Sequence, residues 1–534
     1  MKTTIKNLIL SAVLVVGGAS CVDLDTAPYD RETDLTYWEE DPEAAVKALN
    51  TCYTYLGNMD EQLYCEAMTD NAYTKQPNDA TQNIGNGSYS TADPYVKKVW
   101  DGRYTGIRMC NELLENIDRV PDLDPELKKR YIGEAKVLRA YNYYELYTKF
   151  GDVPYTTKVL SIKESMSIAR TAKATVIANI LADLDEVING NYLPTSYDAD
   201  NKGRITRWAA MAIKAKIYLF EGNWTQVKNI TSTIMTEGGF KLFGSYAGLF
   251  EIANEYNSEV ILDAQYRPTS REHQMMYVFL PPTLGGYSQL SPLQELVDSY
   301  IMLDGKTIKE TGTSFDESHP YANRDPRLKA TVMYTGNSYT LADGTEVVIN
   351  CEKGEGKDGY GVGSDCSATG YYIKKYWDNT YRATLYSGLN PILIRYADIL
   401  LMNAEALAEL GELDKTAWDA TIKPIRDRAG FTLASAVEFP EGASKDKLIE
   451  IVRNERRSEL ALEGHRHKDI IRWRIADEVL NGWCHGLKTN EVVGTDNGYV
   501  RVENRVFNAN RHYLWPIPQA ERDLNGNLEQ NPNW

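Results

Sequence analysis

Thr206-Arg207-Trp208-Ala209-Ala210-Met211-Ala212-Ile213-Lys214-Ala215-Lys216-Ile217-Tyr218-Leu219-Phe220-Glu221-Gly222-Asn223-Trp224 is the stretch that decides the fold. Thr206 is a helix N-cap, since its hydroxyl accepts from an amide of the first turn. Ala209, Ala210, Ala212 and Ala215 place small side chains where a neighbouring helix comes close. Glu221-Gly222-Asn223 stops the helix, and a second one starts near Trp224. Helix, tight turn and partner helix make up the unit of tetratricopeptide-like proteins. The pattern recurs at Ile392 to Leu410, Gly411, Asp414 to Arg428 and Gly430. A longer helix is announced by Asp124-Pro125-Glu126, which supplies a cap, a first-turn proline and an acid at the positive end of the dipole. It continues through Leu127, Tyr131, Ala135 and Leu138 and stops at Gly151. Asn50 to Leu56, Tyr104 to Ile117 and Ala172 to Ile188 add helical stretches. No strict 34-residue period is present, so the pairs are irregular. The expected fold is mainly α: a tetratricopeptide-like helix-pair scaffold with an irregular, loop-rich, ligand-facing region and minor β.

Two stretches interrupt the helices. Residues 71–94 are polar and turn-rich, and carry Tyr73, Asn78 and Tyr89. An insert at about 336–370 holds eight glycines and short strand-like pieces such as Glu346 to Asn350. Long loops on a rigid scaffold are where binding usually resides.

At the N-terminus, Lys2 and Lys6 precede the apolar run Leu8 to Val16, then Gly17-Gly18-Ala19-Ser20 and Cys21. The run falls short of the ~20 residues that span a bilayer, so it is a signal h-region. Small residues before a cysteine are the pattern at which bacterial lipoprotein signals are cut and the new terminal thiol acylated. Residues 1–20 are therefore assigned as the signal peptide, Cys21 as the lipid anchor and 21–38 as a tether. The remaining ~510 residues exceed what one core usually serves. They are divided into an N-terminal helical region, 39–240, and a C-terminal region, 241–534. The net charge of −17 repels polyanions and argues against a nucleic-acid partner. Tyr outnumbers Phe 36 to 10; tyrosine couples an apolar face to a hydroxyl, which suits helix contacts and sugar-binding surfaces alike. Six further cysteines form no CxxC pair. Cys351 and Cys366, flanking one Gly-rich loop, are the pair whose spacing allows a disulfide, although spacing alone does not fix connectivity.

Near the C-terminus the residues become recognisable. Tyr513-Leu514-Trp515-Pro516-Ile517-Pro518, followed by Asn531-Pro532-Asn533-Trp534, resembles the closing signature of SusD/RagB-like outer-membrane lipoproteins. Leu138-Arg139-Ala140-Tyr141 with Phe150-Gly151-Asp152-Val153-Pro154 is similar to their N-terminal signature. Asp325-Pro326-Arg327-Leu328, Ile394-Arg395-Tyr396-Ala397-Asp398 and Asn454-Glu455-Arg456-Arg457-Ser458-Glu459-Leu460 with Glu463-Gly464-His465-Arg466 and Asp469 follow in order. The resemblance implies a non-enzymatic lipoprotein on the outer face of the cell outer membrane, acting as lid to a SusC-like TonB-dependent transporter to which it delivers captured oligosaccharides or polysaccharides. Peptide or glycopeptide uptake of the RagB type is the alternative. Asp23 and Asp25, after Cys21, look like the family's surface-export signal.

The chain carries no GxSxG, HExxH, Walker A or GxGxxG motif, so no catalytic residue and no cofactor is assigned. His465 and His467 stand two apart, the wrong spacing for one helix face, and no metal site is assigned there. Asp198-Ala199-Asp200-Asn201-Lys202-Gly203 opens like a calcium loop, but Lys202 repels a cation and Ala209 stands where a bidentate Glu is required. Charged residues of the 455–469 segment are expected to pin helices together. Trp100 and Trp208 are expected in the core. For glycan contact the candidates are loop aromatics, amides and one acid: Asp70, Tyr73, Asn78, Tyr89, Tyr287, Gln289, Tyr339 and Tyr360.

Overall fold

The computed structural model describes residues 33–75, 80–381 and 384–534. The signal peptide, Cys21, most of the tether and Asn78 lie outside them. The molecule is mainly helical, with short antiparallel strand pairs and one three-stranded antiparallel sheet among the described residues. No helix among the described residues is long and apolar enough to cross a membrane.

The helix pairs form as their caps dictate. Asp93 accepts from Tyr95 N and Val96 N to start Pro94–Asn116, and Asp124 does the same for Pro125–Phe150. These two helices pack together, and Ala44–Tyr53 lies against both. Thr206 accepts from Ala209 N to open Arg207–Phe220; Asn223 opens the partner Trp224–Glu237. Ala209, Ala210, Ala212 and Ala215 are fully buried, which lets Lys173–Asn189 and Trp224–Glu237 pack closely on either side. Tyr396–Leu410 ends at Gly411 in the left-handed region and packs between Trp224–Glu237 and Lys445–Glu459. Gly106 lies where the Pro94–Asn116 helix comes close to Pro125–Phe150 and to the turn after Ala44–Tyr53: a Cβ there would stand 2.9 Å from Asn142 Nδ2 and 2.7 Å from Tyr55 Cβ.

Two expectations are corrected. The helix placed over 392–410 begins only at Tyr396, because Ile392–Arg395 forms a strand paired antiparallel with Val260–Asp263. The segment 414–428 breaks at Thr421 into Lys415–Ala420 and Ile422–Ala429. The disulfide that the spacing of Cys351 and Cys366 left open is not formed: both are buried free thiols, and Cys366 Sγ donates to Lys357 O at 3.3 Å. Trp100 and Trp208 are buried, as expected.

The hydrophobic core does not divide at residue 240. The cluster built from the N-terminal helices also takes in Ile394, Met402, Trp515 and Ile517. A second cluster beneath the loop-rich part combines Leu63 and Ala72 with Phe279, Leu296, Tyr339 and Tyr372. The C-terminal segment clamps onto the long Pro125–Phe150 helix. Trp515 N donates to Lys149 O at 2.7 Å, and Asn531 Nδ2 donates to Phe150 O and Trp515 O.

The charged residues of the sequence motifs gather in two buried networks, one around Arg395 and Arg327 and one around Arg456. Arg395 pairs with Glu259, Glu459 and Glu463 at 2.6–2.7 Å. Arg327 pairs with Asp325, Glu455 and Glu459, and Arg456 with Asp398 and Asp469. Every one of these side chains is nearly dry, so each charge needs its partners to offset desolvation. The motifs thus specify how helices from distant parts of the chain meet.

Candidate functional site

Gln274-Met275-Met276-Tyr277-Val278-Phe279 alternates between two environments. Met275, Met276 and Phe279 sink into the second core, while Gln274 is exposed and Tyr277 half-exposed. The chain then turns at Pro281–Gly286 and returns alongside itself: Tyr287 N donates to Tyr277 O at 2.8 Å, and Gln289 N to Val278 O at 2.6 Å. Gly286 allows this close return, since a Cβ there would lie 2.1 Å from Leu280 O. A third segment arrives from 384–391. His273 and Ser387 exchange both backbone hydrogen bonds, at 2.9 and 3.0 Å, which places Tyr386 beside Tyr277.

The three segments enclose a cleft of about 430 Å³ lined by Gln274, Tyr277, Val278, Tyr287, Gln289 and Tyr386. Tyr277 and Tyr287 stack with centroids 5.8 Å apart and planes 20° apart. Tyr386 stands edge-on to Tyr277 at 6.3 Å and 90°, and Gln274 Nε2 donates to its hydroxyl. Tyr287 is 47% and Tyr386 39% exposed, and with Tyr277 they form a contiguous aromatic surface, the kind that marks interaction sites. None of the six lining residues is charged. Next to Gln274, burial depresses the His273 imidazole to a pKa of about 4 and keeps it neutral. The Gly-rich insert braces the cleft from behind, where Asp358 accepts from Thr283 N at 2.8 Å and Thr283 Oγ1 at 2.6 Å.

Flat aromatic faces with amides beside them suit a ligand that offers C–H faces and hydroxyls. No carboxylate lines this cleft, so it holds no pair of acids for glycoside hydrolysis. Among the described residues no group of three or more His, Cys, Asp or Glu is placed to hold a metal ion.

Of the sequence candidates, the cleft brings together Tyr287 and Gln289. Tyr73 lies one strand away, on Ala72–Thr74, which pairs with Leu290–Pro292; its hydroxyl accepts from Gln82 Nε2 at 3.3 Å. Tyr360 is half-buried in the insert, against the second core. Three candidates are spent on the interior. Tyr339 is fully buried and donates to Ile373 O at 2.8 Å. Tyr89 is buried against His512 and Trp534. Asp70 is buried in a two-armed pair with Arg466, at 2.8 Å on each oxygen, and meets Arg457 at 2.9 Å. Asn78 lies outside the described residues.

Gln274, Tyr277 and Tyr386 were not foreseen. Tyr277 sits in an apolar run that reads as core. Tyr386, in Thr384-Leu385-Tyr386-Ser387-Gly388, shares with Tyr287 an aromatic ring set among turn residues, a signal that was available.

A scaffold of packed helix pairs with an aromatic cleft on its loops places the molecule among mainly helical, tetratricopeptide-like proteins. Residues 249–534 match the SusD family, and residues 37–219 match the family described as starch-binding associating with outer membrane. The chain belongs to the SusD family. It is 27% identical over 515 residues to the SusD-like protein P25 of Formosa agariphila, covering 89% of this chain and 91% of that protein. A SusD-like carbohydrate binding protein from Bacteroides fragilis superposes with a TM-score of 0.81 at 29% identity, covering 92% of this chain and all of that one. A laminarin binding SusD-like protein shares the fold, with a TM-score of 0.68 at 24% identity over 92% of this chain and 99% of that one.

Proposed function

We propose that this protein captures neutral oligosaccharides or polysaccharides in the cleft formed by Tyr277, Tyr287 and Tyr386, and delivers them as the lid of a SusC-like TonB-dependent transporter. The observation that carries this reading is an uncharged cleft whose aromatic rings stay exposed while most large apolar side chains are buried. Tyrosine faces stack on pyranose C–H faces, and Gln274 and Gln289 supply donors and acceptors for hydroxyls. The carbohydrate-binding description of the Bacteroides fragilis relative supports it. No bond is made or broken; the work is capture. Acylation at Cys21 tethers the body to the outer membrane, with the cleft facing the cell exterior.

Native affinity electrophoresis of the body lacking residues 1–21, against a panel of neutral polysaccharides, tests the reading. Retardation is expected, with Tyr287→Ala and Tyr386→Ala each weakening it about fivefold, as the loss of about 1 kcal/mol of ring contact requires. Displacement by peptides but not by sugars would move the protein to peptide uptake. Cys21→Ala is expected to release the protein from the membrane fraction; co-purification of a TonB-dependent transporter with the anchored form tests the partnership.

A further inference from the structure

A second, larger groove lies apart from the cleft. It measures about 1100 Å³ against about 430 Å³ for the cleft, and no residue lines both. Single small-molecule pockets run to roughly 1,000 Å³, so the groove has room for several sugar units. Its walls come from four places: the 317–322 loop, the 334–336 turn, the Gly-rich insert at 350–355, and the hairpin carrying 488–491 and Tyr499.

The floor is aromatic and rigid. Tyr321 and Tyr334 stack face to face, 4.0 Å between centroids and 17° between planes. The Tyr321 hydroxyl lies 3.2 Å from that of Tyr371, which in turn donates to Gln294 Oε1 at 2.6 Å. These hydroxyl contacts orient Tyr321, Tyr334 stacks on it, and both rings remain only half-buried. Asn350 and Asn490 are exposed along the walls, offering amides to hydroxyl groups. Two ion pairs tie the walls together: Lys488 to Glu317 at 2.6 Å, and Lys353 to Glu491. Both lysines of the lining are engaged in these pairs, while Glu352 and Glu355 also face the groove. Four carboxylates therefore outnumber two cations, and this potential repels uronate or sulfate groups.

We infer that this groove is a second glycan site, which takes an uncharged stretch of polysaccharide and works beside the cleft. The inference rests on the glycan reading above but stands on a separate set of residues. Two sites on one body gain on a long chain, because the second contact becomes intramolecular once the first is made. Short oligosaccharides gain nothing from this.

The test uses the body lacking residues 1–21 in native gels containing laminarin, starch, xylan or mannan, with polygalacturonate as polyanion, followed by titration calorimetry with the retained glycan and its short fragments. Ala322→Trp fills the groove from an exposed wall position; Asn490→Ala removes an exposed amide without filling it. Ala322→Trp is expected to weaken retention by long chains about tenfold or more, through lost avidity, and to leave the affinity for short fragments at the cleft unchanged. A Tyr287→Ala/Tyr386→Ala protein is expected to keep residual retention by neutral chains, lost when Ala322→Trp is added and reduced by Asn490→Ala. If the cleft variant alone abolishes all retention, the second site is overturned and the cleft reading stands. If wild type is retained by polygalacturonate as well as by neutral chains, the charge argument fails and the inference with it. If no neutral polysaccharide retains wild type, the glycan reading itself falls and takes this inference with it.

Discussion

Asp70 separates two accounts of the same residue, and replacing it by Ala tells them apart. As a sugar ligand it would be dispensable for folding. In the structure it faces Arg466 through both oxygens at 2.8 Å and Arg457 at 2.9 Å, with its side chain almost wholly buried. Burial alone would raise its pKa, yet Arg457 and Arg466 overcome that and hold the carboxyl well below the usual range. Asp70→Ala strands two buried guanidinium groups, and breaking a buried pair from one side costs about 3–5 kcal/mol. With ~500 ordered residues and about 2.1 cal/mol/K of unfolding entropy each, 1 kcal/mol corresponds to about 1 °C, so Tm should drop about 3–5 °C. The sign with pH follows from the depressed folded-state pKa. The stabilisation is fully present above the unfolded value near 3.9 and is lost as pH falls through the folded one, so wild type and variant converge in acid. Differential scanning fluorimetry at pH 7 and at pH 3, alongside glycan retardation at 25 °C, measures both properties. Unchanged melting with lost retardation would refute the ion-pair account and return Asp70 to the ligand.

The neighbouring glycines of Pro94–Asn116 make a paired test. A Cβ at Gly106 meets Tyr55 Cβ at 2.7 Å and Asn142 Nδ2 at 2.9 Å, whereas one at Gly102 meets nothing within 4 Å. Gly106→Ala should therefore cost about 1–3 kcal/mol by overpacking, and Gly102→Ala should gain about 0.5–1 kcal/mol by removing a helical glycine; opposite signs in thermal melts are the expected result. His273 gives a pH prediction: above pH 6.5 its imidazole is neutral whether folded or not. Below that value the unfolded chain takes a proton that the buried ring, at a pKa of about 4, refuses. Wild type should lose about 1.4 kcal/mol per pH unit between 6.5 and 4 relative to His273→Gln; parallel melting curves for the two proteins across that range would contradict it.

Much of the scaffold was legible because its signals are local. Thr206, Asp124, Gly411 and Gly430 act on amides or carbonyls within one turn of themselves, so a short window contains the whole interaction. The strand at Ile392–Arg395 was not legible, since an apolar run of that length fits a strand or a helix and its partner lies at Val260–Asp263. The site divides in the same way. Tyr287 and Gln289 stand in a turn-rich stretch that advertises exposure, whereas Asp70 and Tyr89 looked identical in kind and proved buried. Their partners, Arg466 and Trp534, lie about 400 and about 450 positions away, and nothing near them in sequence marks the encounter. Tyr339 was misplaced because the long loops have a core of their own, into which it points.

The shared core has a consequence for how this chain is made. Trp515 and Ile517 complete a cluster begun by Ala44 and Leu49, so the first helices have no finished interior until residues more than 450 positions later have arrived. Contacts of such separation close slowly and only after the intervening chain is present. A gene split at residue 240 should therefore yield two halves that expose apolar seams and associate only when produced together. On the proposed reading of residues 1–20 as an export signal, the same delay would keep the chain unfolded, and hence translocatable, while its later residues are still being synthesised.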